Sequence, residues 1–213
     1  MSTIAIVDYG TGNLRSVSQA VHAVAGKADV VVTGEPARIA AADRVIFPGQ
    51  GAMGDCMRHL EESGLRPAVE SALRNKPVLA ICIGLQMLFD KSDEDDCPGL
   101  GLYRGKVLRF PEAALVTADG RKLKVPQMGW NTIIRRQQHP LWEGIADGSW
   151  FYFVHSYFVA PVDDSLTAAT TSYGLPFVCA VARDNVFATQ FHPEKSAADG
   201  LRLFSNFVNW DPA

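Results

Sequence analysis

The chain has 213 residues, with 20 Lys and Arg against 23 Asp and Glu, a formal charge of -3. That length suits one large domain that buries its core without disulfide or metal staples. So even a charge balance excludes a chain built to coat nucleic acid or an anionic membrane, since either task needs a clustered positive excess.

Residues 4–7 form a short apolar run of the kind that suits a strand buried on both faces. After the Gly10-Thr11-Gly12 break, Leu14, Val17, Val21 and Val24 recur at helical spacing, and Gly26 sits where such a helix ends. Residues 30–32 predict a second strand. Residues 45–47 predict a third, stopped by Pro48. Residues 54–75 read as one or two helices broken around Gly64 and Pro67; residues 78–81 are a fourth strand and residues 84–89 begin a helix. This alternation with short connections implies a parallel sheet flanked by helices.

Beyond Lys91 the texture changes. Residues 93–96 form an acidic run that reads as a solvated surface loop. Strand signals then dominate, at residues 106–109, 121–125, 131–134, 150–160, 166–171, 177–183 and 186–190. Asp184-Asn185 marks a hairpin, and Ser196 is a capped start for a last helix to about residue 209. The expected fold is a single α/β domain over residues 1–213, with a mostly parallel central sheet and added antiparallel strands in the second half. The longest apolar stretches, 78–89 and 151–160, carry Gln86 and His155 and are too short to span a bilayer. Asp8 cuts off the first apolar run, so no secretory leader is predicted. The four cysteines (56, 82, 97 and 179) form no CxxC pair, as expected of reduced thiols in a cytoplasmic protein.

Three segments carry chemistry. In Ala80-Ile81-Cys82-Ile83-Gly84 a buried strand runs straight into a predicted helix with a cysteine at the corner and small residues two positions either side. A nucleophile on a strained strand-to-helix turn needs such neighbours, and a helix N-terminus favours thiolate. In His192-Pro193-Glu194 an extended backbone would point imidazole and carboxylate the same way. A cysteine nucleophile needs that base and that orienting acceptor. Phe47-Pro48-Gly49-Gln50-Gly51 is a glycine-rich strand exit whose N–H groups can turn toward an oxyanion. Two decoys are set aside. Gly10-Thr11-Gly12 lacks the third glycine of a dinucleotide fingerprint, Arg15 standing there. The five histidines form no metal-ligand pattern. His155, inside an apolar run, reads as a hydrogen-bonded core residue that lines a pocket if its strand borders the site.

In order along the chain, the segments PGQG, AICIGLQ and FHPE resemble class I (triad) glutamine amidotransferases. More narrowly, DYGTGNL (8–14), PQMGWN (126–131), YFVHSY (152–157) and HPEKS (192–196) are similar to the glutaminase subunits of imidazole glycerol phosphate synthase, in histidine biosynthesis. The resemblance implies a flavodoxin-like fold, no cofactor and no metal. It implies Cys82 as nucleophile toward L-glutamine, His192 as acid and base, and Glu194 as the group that orients His192. It places oxyanion donors on the backbone of Gln50 and Ile83, and substrate contacts at Gly49, Gly51, Gln86, His155, Ser156 and Tyr157. It also implies a heterodimer with a (β/α)8-barrel cyclase that consumes the ammonia, met through Asn13, Trp130 and Lys195, with no nucleic acid or membrane involved. Ala80 replaces the first glycine of the corner and is expected to be harmless; Gln50 stands where an aliphatic residue is expected. The alternatives are a different triad amidotransferase, an inactive subunit of the same fold, and a cysteine peptidase or α/β hydrolase.

Overall fold

The computed structural model describes residues 2–116 and 120–212. In the first half, β1 (Thr3–Val7), α1 (Leu14–Val24), β2 (Asp29–Thr33), α2 (Pro36–Ala41), β3 (Arg44–Gly49), α3 (Met53–Glu62), α4 (Arg66–Asn75) and β4 (Val78–Cys82) alternate, all but α2 as the apolar pattern predicts. The α3 and α4 helices are separate: Gly64 between them takes φ +69, and Pro67 opens α4, where its missing N–H leaves no helical bond unmade. The short α2 gave no sequence signal. The β3 strand continues through Pro48 instead of stopping there. On the β1 side its pairing ends at Ile46, so the absent N–H breaks no ladder bond, and the Pro48 carbonyl accepts from the Tyr9 hydroxyl at 2.9 Å.

From the corner onward the structure departs further from expectation. The helix after Cys82, α5 (Ile83–Gln86), is a single turn, and the chain then becomes β5 (Phe89–Ser92). All seven residues from Ile83 to Phe89 are buried, so no amphipathic period distinguishes helix from strand there. Next come β6 (Tyr103–Arg109), β7 (Gln127–Thr132), β8 (Ile134–Arg135), β9 (Trp150–His155), β10 (Tyr157–Pro161), β11 (Thr167–Tyr173), β12 (Leu175–Arg183) and β13 (Val186–Thr189), then α6 (Ala197–Asn209). Residues 121–125 form no named strand; among the described residues their ladder contact is a bridge from Lys122 to Val116. The predicted 131–134 strand lies earlier, as β7, and the predicted 150–160 strand is two strands split at Ser156.

The main sheet runs β2-β1-β3-β4-β13-β12-β10-β6-β5. Its first five strands are mutually parallel, and β12 begins the antiparallel extension. Right-handed crossovers put α1 on one face and α2, α3 and α4 on the other, because the strand order reverses at β1. The packing agrees: α6 lies on α1 and α2 on α4. The C-terminal ends of β3, β4 and β13 therefore open side by side, where ligand sites of parallel sheets form. The β7 and β9 strands pair as a separate antiparallel ribbon. Its inner face buries Phe151 and Phe153, which pack on Phe191 at ring distances of 4.2 and 5.7 Å.

Candidate active site

The β4 strand delivers Cys82 with φ 57 and ψ -109, a strained conformation for a residue with a side chain. A Cβ on Gly84 would lie 2.1 Å from the Phe47 carbonyl oxygen, and one on Gly49 would lie 2.9 Å from Ile83 Cβ. The corner thus presses against β3 so closely that glycine is required on both sides. That same Gly84 Cβ would sit 3.6 Å from Ala80 Cβ, ordinary contact, which is why alanine fits at position 80. One helical turn carries little macrodipole, so the expected contribution of a helix N-terminus to Cys82 is small.

A cavity of about 280 Å³ is lined by Cys82, Ile83, Gln86, Gln50, Gly51 and His192, together with Glu94 and residues 154–157. A larger, more open depression of about 490 Å³ around Arg135, Arg136 and Trp142 is lined by no cysteine, serine or threonine. Gly49 lies behind the cavity, in register with Cys82, and contributes close approach instead of lining.

His192 arrives just after β13, which is bonded alongside β4. Its N–H donates to Tyr152 O at 2.9 Å. Its carbonyl accepts from Ser196 Oγ at 2.6 Å, and that oxygen accepts from the Tyr152 N–H at 3.0 Å. Ser196 was expected to cap α6; it makes no side-chain cap bond and instead clamps the His192 turn. His192 and Glu194 meet through a 3-10 turn at Pro193–Lys195, not through strand alternation. The His192 Nδ1 to Glu194 Oε1 distance is 2.7 Å, and the Glu194 side chain is only 1% exposed. A carboxylate only accepts, so Nδ1–H donates and Nε2 is the free end. Burial opposes charging of the ring, but the Cys82 sulfur and the Glu194 carboxylate outweigh it and push the His192 pKa up to about 10. Nε2 closes no hydrogen bond of full geometry, yet both the charge of the Cys82 sulfur and a loose hydrogen bond to it raise the His192 pKa, a slack common before substrate tightens a site.

Gln86 donates from Nε2 to Tyr157 O at 3.2 Å and to Gln190 Oε1 at 3.0 Å, while its own Oε1 is buried without a partner. His155 lies 2.7 Å from the same Tyr157 oxygen through Nδ1 and 3.0 Å from Gln127 through Nε2. Burial holds its pKa down at about 4, so the ring is neutral, with Nδ1 the donor to that carbonyl and Nε2 an acceptor, which requires the Gln127 amide to turn its N–H toward Nε2 in place of Oε1. Ser156 lines the cavity beside it.

Three functional candidates escaped the sequence reading. Glu94 belongs to the run read as solvated, yet its carboxylate accepts from the Met53 N–H at 2.8 Å, capping α3, and lines the cavity. Gln190 is wholly buried and donates to Cys82 Sγ at 3.7 Å. Cys56 donates to the Gln50 carbonyl at 3.3 Å, behind the glycine-rich loop. A signal existed only for Gln190, a polar residue at the end of an otherwise apolar strand.

Of the three residues expected at a partner surface, Trp130 is 49% exposed, which excludes core packing for it. It meets Tyr152 edge-on, and Lys195 Nζ stands 5.7 Å from the Tyr152 ring centre. Asn13 precedes α1, which packs against the turn carrying Lys195. The outward face of the β7–β9 ribbon also exposes Met128 and Trp150. Its apolar residues therefore divide between core and surface, which explains the nearly unbroken apolar run from 150 to 160. Among the described residues, no helix is long and apolar enough to cross a membrane.

A profile of class-I glutamine amidotransferases matches residues 5–210. The chain belongs to the class I glutamine amidotransferase family. It is 60% identical to imidazole glycerol phosphate synthase subunit HisH of Dechloromonas aromatica, over 99% of this chain and 97% of that one. It is 59% identical to the subunit of the same name from Aromatoleum aromaticum, over 100% of both. In fold it is similar to PurLQS from Thermotoga maritima, with a TM-score of 0.72 at 18% identity over 98% of each chain. A solved glutamine amidotransferase gives a TM-score of 0.70 at 18% identity, over 97% of this chain and 99% of that one.

Proposed function

We propose that residues 1–213 act as one amidotransferase domain, the glutaminase subunit of an imidazole glycerol phosphate synthase. It hydrolyses L-glutamine and passes the ammonia to a (β/α)8-barrel cyclase in histidine biosynthesis. The observation that carries this reading is the joining, in one small cavity, of a strained Cys82 with a buried, carboxylate-backed His192. The Cys82 thiolate attacks the side-chain amide carbon, and the resulting oxyanion is met by the backbone N–H groups of Ile83 and Gln50. One such donor is worth about 3 kcal/mol in the transition state. The C–N bond then breaks, and His192 gives its Nε2 proton to the departing nitrogen, leaving ammonia and a glutamyl thioester. His192 next takes a proton from water as it attacks the thioester; glutamate leaves and the thiolate returns. Glu194 holds the ring so that Nε2 stays the working end. The unpartnered Gln86 Oε1 and the Glu94 carboxylate offer acceptors for the ammonium or amide hydrogens of the substrate.

The exposed β7–β9 face supports the partner part of this reading. Large apolar and aromatic side chains ringed by polar groups form the kind of surface a subunit covers. Trp130, Lys195 and Asn13 lie at that contact. A glutamine-mimicking chloroketone is expected to label Cys82 alone. Cys82→Ala is expected to abolish glutamine-dependent product in the assembled enzyme while added ammonia still supports it. Turnover of peptides or esters without a partner, or full activity in Cys82→Ala, overturns the reading.

A further inference from the structure

Within that glutaminase reading, we propose that Gln190 presents an N–H to the Cys82 sulfur, fixed in that polarity by a chain of hydrogen bonds anchored on the Tyr157 carbonyl. An amide side chain is nearly symmetric in shape, so a glutamine beside a nucleophile can face it with a donor or an acceptor. The distinction decides its effect. A donor stabilises the thiolate, and a carbonyl oxygen opposes it.

The chain of bonds removes the choice. The Tyr157 carbonyl only accepts, so the Gln86 atom 3.2 Å from it is Nε2. The second Nε2 hydrogen points at Gln190, 3.0 Å away, which places Gln190 Oε1 at that contact. Gln190 Nε2 is then the atom 3.7 Å from Cys82 Sγ. Neutral His155 takes the other lone pair of the Tyr157 oxygen, 2.7 Å away, so that carbonyl is held from both sides. Gln86 and Gln190 are 1% and 0% exposed, so their orientation is set chiefly by these protein partners. A glutamine at the end of β13, beside β4, acts on the reacting atom, and Gln86 and the Tyr157 backbone act as positioning groups through it.

Other titratable groups also face Cys82. His192 comes from the turn after β13, Tyr9 from the end of β1 and Cys56 from α3. His155 and Glu94 line the same cavity. None of them is altered by Gln190→Met, which keeps length and volume and removes the donor. The test is the pH dependence of iodoacetamide alkylation at Cys82, resolved by mass spectrometry from the other thiols in the complete chain. The pH of half-maximal rate is expected to rise by about 1 to 2 units in Gln190→Met, the scale of a hydrogen bond to a charged group. Gln190→Glu is expected to raise it at least as far. Gln86→Met, which leaves Gln190 intact but unanchored, is expected to raise it by a smaller amount and serves where position 190 tolerates no change. Thermal melting separates a folding effect, since a purely structural role lowers the melting temperature without moving the profile. Profiles of Gln190→Met and Gln86→Met that superpose on the unaltered protein overturn the proposal. Alkylation needs no glutamine turnover, so absence of glutaminase activity with the shift intact refutes the enzymatic reading and not this one.

Discussion

The tightest steric test of the corner is Gly84→Ala. The added carbon would lie 2.1 Å from Phe47 O and 3.2 Å from Phe47 C. An ordinary carbon–oxygen contact is about 3.3–3.6 Å, so the turn after Cys82 must retreat from β3 by roughly 1 Å. β3 cannot give way freely, because it is bonded to β4 from Val45 to Gly49 and to β1 up to Ile46. Overpacking of this kind costs about 1–3 kcal/mol. For a chain of 213 residues that lowers the melting temperature by roughly 2–12 °C. Function suffers more, since the gap that widens lies between the Ile83 N–H and the Gly49–Gly51 loop, the two sides of the proposed oxyanion site. A 1 Å misplacement there is expected to reduce kcat about 100-fold. Gly54→Ala is the control: its Cβ would meet nothing nearer than 3.8 Å, and it lies within α3. That change is expected to raise stability by about 0.5–1 kcal/mol and leave turnover intact. Urea unfolding and steady-state glutaminase assays of both variants, with the cyclase partner, decide the matter. Native stability and native kcat in Gly84→Ala would refute the packing argument.

Glu194→Gln keeps the shape of the carboxylate but removes its charge. The His192 pKa is expected to fall from about 10, read by histidine NMR titration, and kcat by about 10²- to 10⁴-fold. Ser196→Ala strips partners from the His192 carbonyl and the Tyr152 N–H, and is expected to lower unfolding free energy by about 1–3 kcal/mol in urea titrations. His155 is neutral in the fold with a pKa near 4, against 6.5 when unfolded. The unfolded chain therefore binds the extra proton between those values, and the contribution of His155, complete above pH 6.5, is lost as pH falls toward 4. At pH 5 the loss is about 2 kcal/mol, visible as a lower urea midpoint than at pH 7. The less deeply buried His139 shifts the same way by burial and adds to the effect. Trp130→Ala is expected to weaken cyclase binding at least 30-fold by calorimetry, with little change in the melting temperature of the isolated chain.

Local chemistry was legible where local chemistry suffices. The run at residues 4–7 lies buried on both faces, and small residues flank Cys82 because the backbone there passes close to β3. The His192–Glu194 spacing brought the two side chains together, though through a 3-10 turn the sequence did not announce. Segment identity failed where burial erased the period, as between Ile83 and Phe89. It failed again at residues 121–125, where among the described residues the alternation meets a single bridge and no continuous ladder.

The sequence by itself determined which residues carry reactive groups and which segments form the parallel core. Both follow from side-chain chemistry and the two-residue and 3.6-residue periods. Only the tertiary structure decided that β13 lies beside β4, bringing Gln190 to a sulfur 108 residues away. The same packing turned Glu94 into the cavity and Trp130 out of the core. Those outcomes depend on strand order and on which hydrogen bonds remain to be satisfied once water is excluded, and neither is written in any one stretch of chain.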